Sequence, residues 1–154
     1  MAQSKNERSY PLTTPTKVYQ DDFSPAKGNA LQAAVASIFG LRLHDDDVPN
    51  FIESPFGYEA AIERFYQQRL GGERCVKMQL AADESKKNIP DEDYDNAICI
   101  LRGKSPRGDF GHVVVARYVS SIEGRECFEM LHDPHPDETF LDETEEFGWC
   151  MFFR

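Results

Sequence analysis

A chain of 154 residues, 40% hydrophobic and 29% charged, has the length of one domain and can bury roughly 70% of the surface its unfolded form exposes, without disulfides or a structural metal. Its formal charge of −10 excludes nucleic acid and anionic membrane surfaces as expected partners, since both are gripped by excess Lys and Arg. The acidic runs at 45–47, 91–95 and 137–146 read as solvated loops, and any partner they meet is expected to be basic.

Residues 1–16 are polar, contain Pro11 and Pro15, and read as an N-terminal arm ahead of a single domain at 17–154. The first ten residues lack a signal-peptide apolar core, and nowhere does an apolar run reach the ~18 residues of a membrane span. Residues 17–20 fit a short strand, and 21–28 a loop punctuated by Pro25 and Gly28. The clearest helix is 29–39. Asn29 suits its N-cap, Leu31, Ala34, Val35, Ile38 and Phe39 follow the 3.6-residue period, and Gly40 is a stop. Its many small residues suit a helix packed on more than one face. A second helix at 58–70 has Ala61, Ile62, Phe65 and Leu70 on its apolar side and ends at Gly71-Gly72.

Beyond Gly72 the period changes to two. Strands are expected at 75–81, 96–101, 111–119, 126–131 and 147–152, with polar loops at 86–95 and 103–109. The 103–109 loop closely precedes His112, and its glycines make it an expected mobile gate. A turn at 120–124 pairs the third and fourth of these strands as a hairpin. Helices followed by strands give an α+β fold, with an antiparallel sheet of five or six strands against the N-terminal helices.

Three short features carry chemistry. Gly28-Asn29-Ala30 opens a helix, where free N–H donors and a partial positive charge gather. A cysteine there would have its thiolate stabilised, whereas an alanine is only a good helix former. Gly111-His112 precedes a valine-rich strand, and a histidine there suits a general base. His132-Asp133-Pro134 ends the next strand, where an aspartate can orient an imidazole across the hairpin. Cys75, Cys99, Cys127 and Cys150 form no CxxC pair and lie in apolar or strand-like segments. They read as reduced, buried thiols of a cytoplasmic protein. Ser24 and Ser37 have no activating neighbours in sequence. His112, His132, His135 and a carboxylate could also be read as metal ligands, but the His132-x-x-His135 spacing is loose and no HExxH is present, so neither metal nor cofactor is expected.

In their order, these segments resemble papain-like cysteine peptidases, in particular small bacteriocin-processing-type and bacteriophage-type cysteine hydrolases. The resemblance rests on the Gly28-Asn29-Ala30 helix running to Gly40, on Asp47-Val48-Pro49-Asn50-Phe51, on Gly111-His112-Val113-Val114-Val115 and on His132-Asp133-Pro134. It spans the chain from about Val18 to Trp149. It implies a papain-like fold with an N-terminal nucleophile helix and hydrolysis of an amide, peptide or isopeptide bond in a peptide or protein substrate.

By the same resemblance, Ala30 stands where the nucleophilic cysteine belongs, His112 is the general base and acid, and Asp133 holds the imidazole's tautomer. Gln20 is the implied oxyanion donor, at a longer spacing from the nucleophile than usual, and the Ala30 N–H is a second donor. Without a thiol at position 30 no acyl-enzyme forms. Either the cysteine was replaced by design or the chain is a natural inactive form. The intact supporting residues favour the replacement. The alternative function is a binding module that holds a peptide or protein tail in the same cleft, and acyl transfer is a third.

Overall fold

The structure is a computed structural model and describes residues 14–24, 28–80 and 89–154. Most of the expected arm, Pro25, Ala81 and the start of the 86–95 loop lie outside the described residues. Helix α1 (Ala30–Phe39) is buried at every position after the first. Ala33, Ala34, Val35, Ala36, Ile38 and Phe39 are each fully buried, and the small side chains let the helix be enclosed on several sides. Helix α2 (Tyr58–Leu70) is amphipathic and buries Ile62, Phe65 and Tyr66. Phe39 stacks on Tyr66 with ring centroids 5.3 Å apart and meets Phe153 edge-on at 5.0 Å. One aromatic cluster therefore ties both helices to the C-terminal strand.

The strands are β1 (Cys75–Gln79), β2 (Ile98–Lys104), β3 (Gly111–Tyr118), β4 (Phe128–His132) and β5 (Trp149–Phe153). They form one antiparallel sheet in the order β1-β5-β2-β3-β4. The last strand is thus inserted between the first two, pairing Cys75 with Phe153 on one side and Cys99 with Phe152 on the other. Period-2 alternation sorts the side chains. Ile98, Ile100, Val113, Val115 and Met151 join the cluster around α1, while Cys99, Leu101, Val114, Ala116 and Phe152 join a second one with Phe128, Leu141 and Phe147. Among the described residues no helix is long and apolar enough to cross a membrane.

The architecture is α+β, as expected, but four local readings change. Residues 17–20 are not a strand. Their backbone bonds to a helix and a turn instead: Val18 N–H to Ser37 Oγ at 3.1 Å and Gln20 N–H to the Pro134 carbonyl at 3.0 Å. Strand β2 continues through Gly103, where a Cβ would lie 3.1 Å from Leu141 and 3.3 Å from Phe147, so the glycine serves a close approach rather than a turn. Strand β4 starts at Phe128 because Gly124–Cys127 is a short 3-10 helix. Asn29 precedes α1, but its side chain makes no cap bond and is used elsewhere.

Candidate active site

Strand β3 begins with Gly111-His112, and Asp133 follows the last residue of its hairpin partner β4. The hairpin brings the two side chains together, with His112 Nε2 2.7 Å from Asp133 Oδ1. Both are buried, His112 to 6% and Asp133 to 1% exposure. Asp133 Oδ1 also accepts the His135 N–H at 2.9 Å, and Oδ2 accepts the Phe140 N–H at 2.8 Å. Burial pushes this carboxyl up, but the His112 bond and the two backbone donors outweigh it and hold it below its ordinary 3.8. Asp133 is therefore ionised at neutral pH and can only accept. His112 must carry its proton on Nε2, which leaves Nδ1 as the basic nitrogen. Nδ1 has no hydrogen-bond partner among the described residues.

The loop that completes Asp133's shell is strained. Glu138 and Phe140 lie in the left-handed region at φ 56° and 62°, which costs a non-glycine residue about 1–2 kcal/mol. That conformation delivers the Phe140 N–H to the carboxylate.

Asn29 is 2% exposed and acts as a staple. Its Oδ1 accepts the N–H groups of Asp21 (3.0 Å) and Asp22 (2.9 Å), and its Nδ2 donates to Asp21 Oδ1 (2.8 Å) and Gln32 Oε1 (3.1 Å). Gln32 in turn donates to the Val48 carbonyl at 2.6 Å. The expected cap is thus a clamp that fixes the Gln20-bearing segment to the first turn of α1. The Asn29 side-chain carbonyl serves the N–H groups of Asp21 and Asp22 in the neighbouring loop instead of the helix's own amides. His44 Nε2 lies 2.6 Å from Asp21 Oδ2, and this bond, with help from Asn29, holds the Asp21 carboxyl below its ordinary value.

A cavity of about 470 Å³ lies where these parts meet. Ala30, Gln20 and His112 all line it, and Asp133 stands behind His112, out of the lining. Ala30 and Leu31, also in the wall, belong to the helix's first turn, whose N–H groups have no intrahelical acceptor. Gln20 is 8% exposed and donates one Nε2 hydrogen to the Asp22 carbonyl at 3.0 Å. A primary amide has a second donor hydrogen. Its Oε1 is buried with no partner among the described residues.

Other sequence candidates are placed away from this chemistry. His132 is buried, and its Nε2 donates to the Val18 carbonyl at 2.6 Å. Burial pushes its pKa below the ordinary 6.5, so it locks the 16–20 segment as a neutral ring. His135 does line the cavity, edge-on to Phe23 at 4.9 Å and 6.5 Å from His112. With His112 and His132 committed to other acceptors, the three histidines do not converge. Among the described residues no group of three or more His, Cys, Asp or Glu side chains is set to hold a metal ion.

Burial raises all four thiols, Cys75 and Cys150 to about 12 and Cys99 well above its ordinary value. None is an activated nucleophile. The 103–109 segment is pinned: Ser105 N–H bonds to the Phe110 carbonyl at 2.8 Å, and Arg107 Nη1 reaches Asp137 at 3.1 Å and Thr139 at 2.9 Å.

Sequence reading missed Arg102, Tyr58, Trp149 and Phe110 in the cavity wall. Arg102 alone left a signal, a lone charge closing the apolar run 98–101. Comparison of the chain with family models, curated proteins and solved structures returns no match.

Proposed function

We propose that this chain has the machinery of a papain-like, thiol-dependent hydrolase of an amide, peptide or isopeptide bond in a peptide or protein, and that it is inactive as it stands because Ala30 occupies the nucleophile's position. The observation that carries this reading is the His112–Asp133 pair, 2.7 Å apart, whose His112 lines a cavity that Ala30 and Leu31 of the first turn of α1 also line. The packing of α1 on an antiparallel sheet supports the papain-like assignment.

With a cysteine at position 30, Nδ1 of His112 would take the thiol proton as sulfur attacks the carbonyl carbon. The developing oxyanion would be met by first-turn N–H groups and the spare Gln20 hydrogen. His112 would pass its proton to the leaving amine as the C–N bond breaks. Water, deprotonated by the same nitrogen, would then cleave the thioester. Asp133 keeps Nε2 protonated and stabilises the imidazolium throughout. No cofactor takes part. The unpaired cysteines support a reduced, cytoplasmic setting.

The test is to install Ala30→Cys and follow stoichiometric alkylation by intact mass at mildly acidic pH, beside the unchanged chain and the Ala30→Cys, His112→Ala double variant. Fast single labelling that needs both Cys at 30 and His112 is the expected outcome. Labelling no faster than for an ordinary thiol would sink the hydrolase reading. Ala30 itself favours a second reading, a module that holds a peptide or protein tail without cleaving it, and that reading would then take its place.

A further inference from the structure

The helix-facing row of β2 reads Ile98, Ile100 and then Arg102, and the two isoleucines belong to the core around α1. Arg102 pairs across the ladder with Val113 on β3 and Trp149 on β5, and all three line the cavity. An exposed charge thus closes an apolar row at the cavity wall. Its guanidinium lies over Gly111, in space that any Cβ at that position would overlap. It makes no ion pair or hydrogen bond with any described residue.

The surroundings sharpen the contrast. The chain carries 27 acidic residues, yet none of the described ones lines this cavity. The other arginine there, Arg107, is already satisfied by Asp137 at 3.1 Å and Thr139. Phe23 and Phe110, each 53% exposed, and Ile52, 41% exposed, form an apolar rim. Arg102 and Phe110 also line an adjoining cleft of about 300 Å³, with Asp109, Glu146 and Lys104 in its wall, so these charged neighbours of Arg102 stand on the cleft side and its cavity side faces Val113 and Trp149.

We infer that Arg102 is a specificity anchor that takes a carboxylate of an extended peptide bound in this cavity, with apolar side chains of the same peptide against the rim. The inference rests on the proposed reading of the cavity as the substrate site. A guanidinium fork matches a carboxylate in a bidentate pair, and Trp149, the ladder partner of Arg102, lines the same cavity. The sign is opposite to the one the acidic runs suggest: the 137–146 run borders the site through Asp137, which is bonded to Arg107, and through Glu146 in the adjoining cleft, but none of the described acidic residues lines the cavity itself. The carboxylate is either an acidic side chain or the free C-terminus of the peptide.

Because the chain has no nucleophile, it can be used unchanged as a trap. Immobilised positional-scanning libraries of N-acetylated hexapeptides, made in C-amidated and free-acid forms, would be probed with the intact chain and with Arg102→Gln and Arg102→Glu, each checked by its melting curve. The expected result is a preference of about tenfold for one acidic feature, lost in Arg102→Gln and turned toward Lys or Arg in Arg102→Glu. Enrichment of Asp or Glu at one position of the amidated series assigns a side chain, and retention confined to the free-acid series assigns a C-terminus. If Arg102→Glu does not fold, Arg102→Gln carries the test. Peptides retained with no acidic preference, or with a preference the folded variants keep, would overturn the role of Arg102 and leave the cavity as a peptide site. No retention of any peptide would remove the peptide reading and this inference with it.

Discussion

At the residue scale, two buried groups set how the protein responds to pH, and their signs agree. Asp133 has a folded pKa below its unfolded value, so its contribution is present above about 3.8 and is lost as pH falls through the folded pKa. His132 is also lowered. The unfolded ring takes its proton near 6.5 while the buried one resists it, so stability falls as pH drops below 6.5. Thermal melts between neutral pH and pH 5 should show a downward slope that flattens in His132→Leu, and an unchanged slope would show that His132 is not the sensor. For chemistry, Asp133→Ala in the Ala30→Cys background removes the acceptor that keeps Nε2 protonated. Alkylation and turnover should fall by about 10²–10⁴-fold, while the fold survives in circular dichroism. A rate equal to that of the parent would remove Asp133 from the site.

At the element scale, the site depends on loops fastened to regular structure. Asn29 joins the 20–22 segment to α1 through four hydrogen bonds. Asn29→Ala would leave the part-buried Asp21 and Asp22 N–H groups without this acceptor and should cost about 1 kcal/mol. Amide exchange at Asp21 and Asp22 should accelerate while the middle of α1 stays protected. Loss of protection in α1 instead would mean that Asn29 serves the helix and not the loop. The β2–β3 connection contains its own bonds and the Arg107 tether. Ser105, fully buried, should exchange slowly, contrary to a mobile gate.

At the scale of the whole molecule, β5 is the keystone of the sheet. Every residue of Trp149–Phe153 is buried, and its ladder binds β1 on one side and β2 on the other. Removal of residues 149–154 would divide the sheet and expose both apolar clusters at their centre. The truncated chain should show no cooperative unfolding transition. A cooperative melt would mean that β2, β3 and β4 fold with α1 unaided.

The sequence by itself determined the elements whose signals are local. The 3.6-residue period and Gly40 mark α1, the valine run marks β3, and the turn signal at 120–124 makes β3 and β4 neighbours, although the connection between them runs over residues 119–127 and includes the Gly124–Cys127 3-10 helix. Because that hairpin is local, the partnership of His112 with Asp133 was legible before any coordinates. Only tertiary structure decided the rest. The position of β5 between β1 and β2 depends on contacts across most of the chain, which no local period encodes. Asn29 has the composition of a cap, and it became a clamp because the 21–22 loop presents its N–H groups to the Asn29 side chain. Arg102 lies just beyond the expected strand 96–101, and only the sheet's pairing puts it at the cavity wall beside Val113 and Trp149.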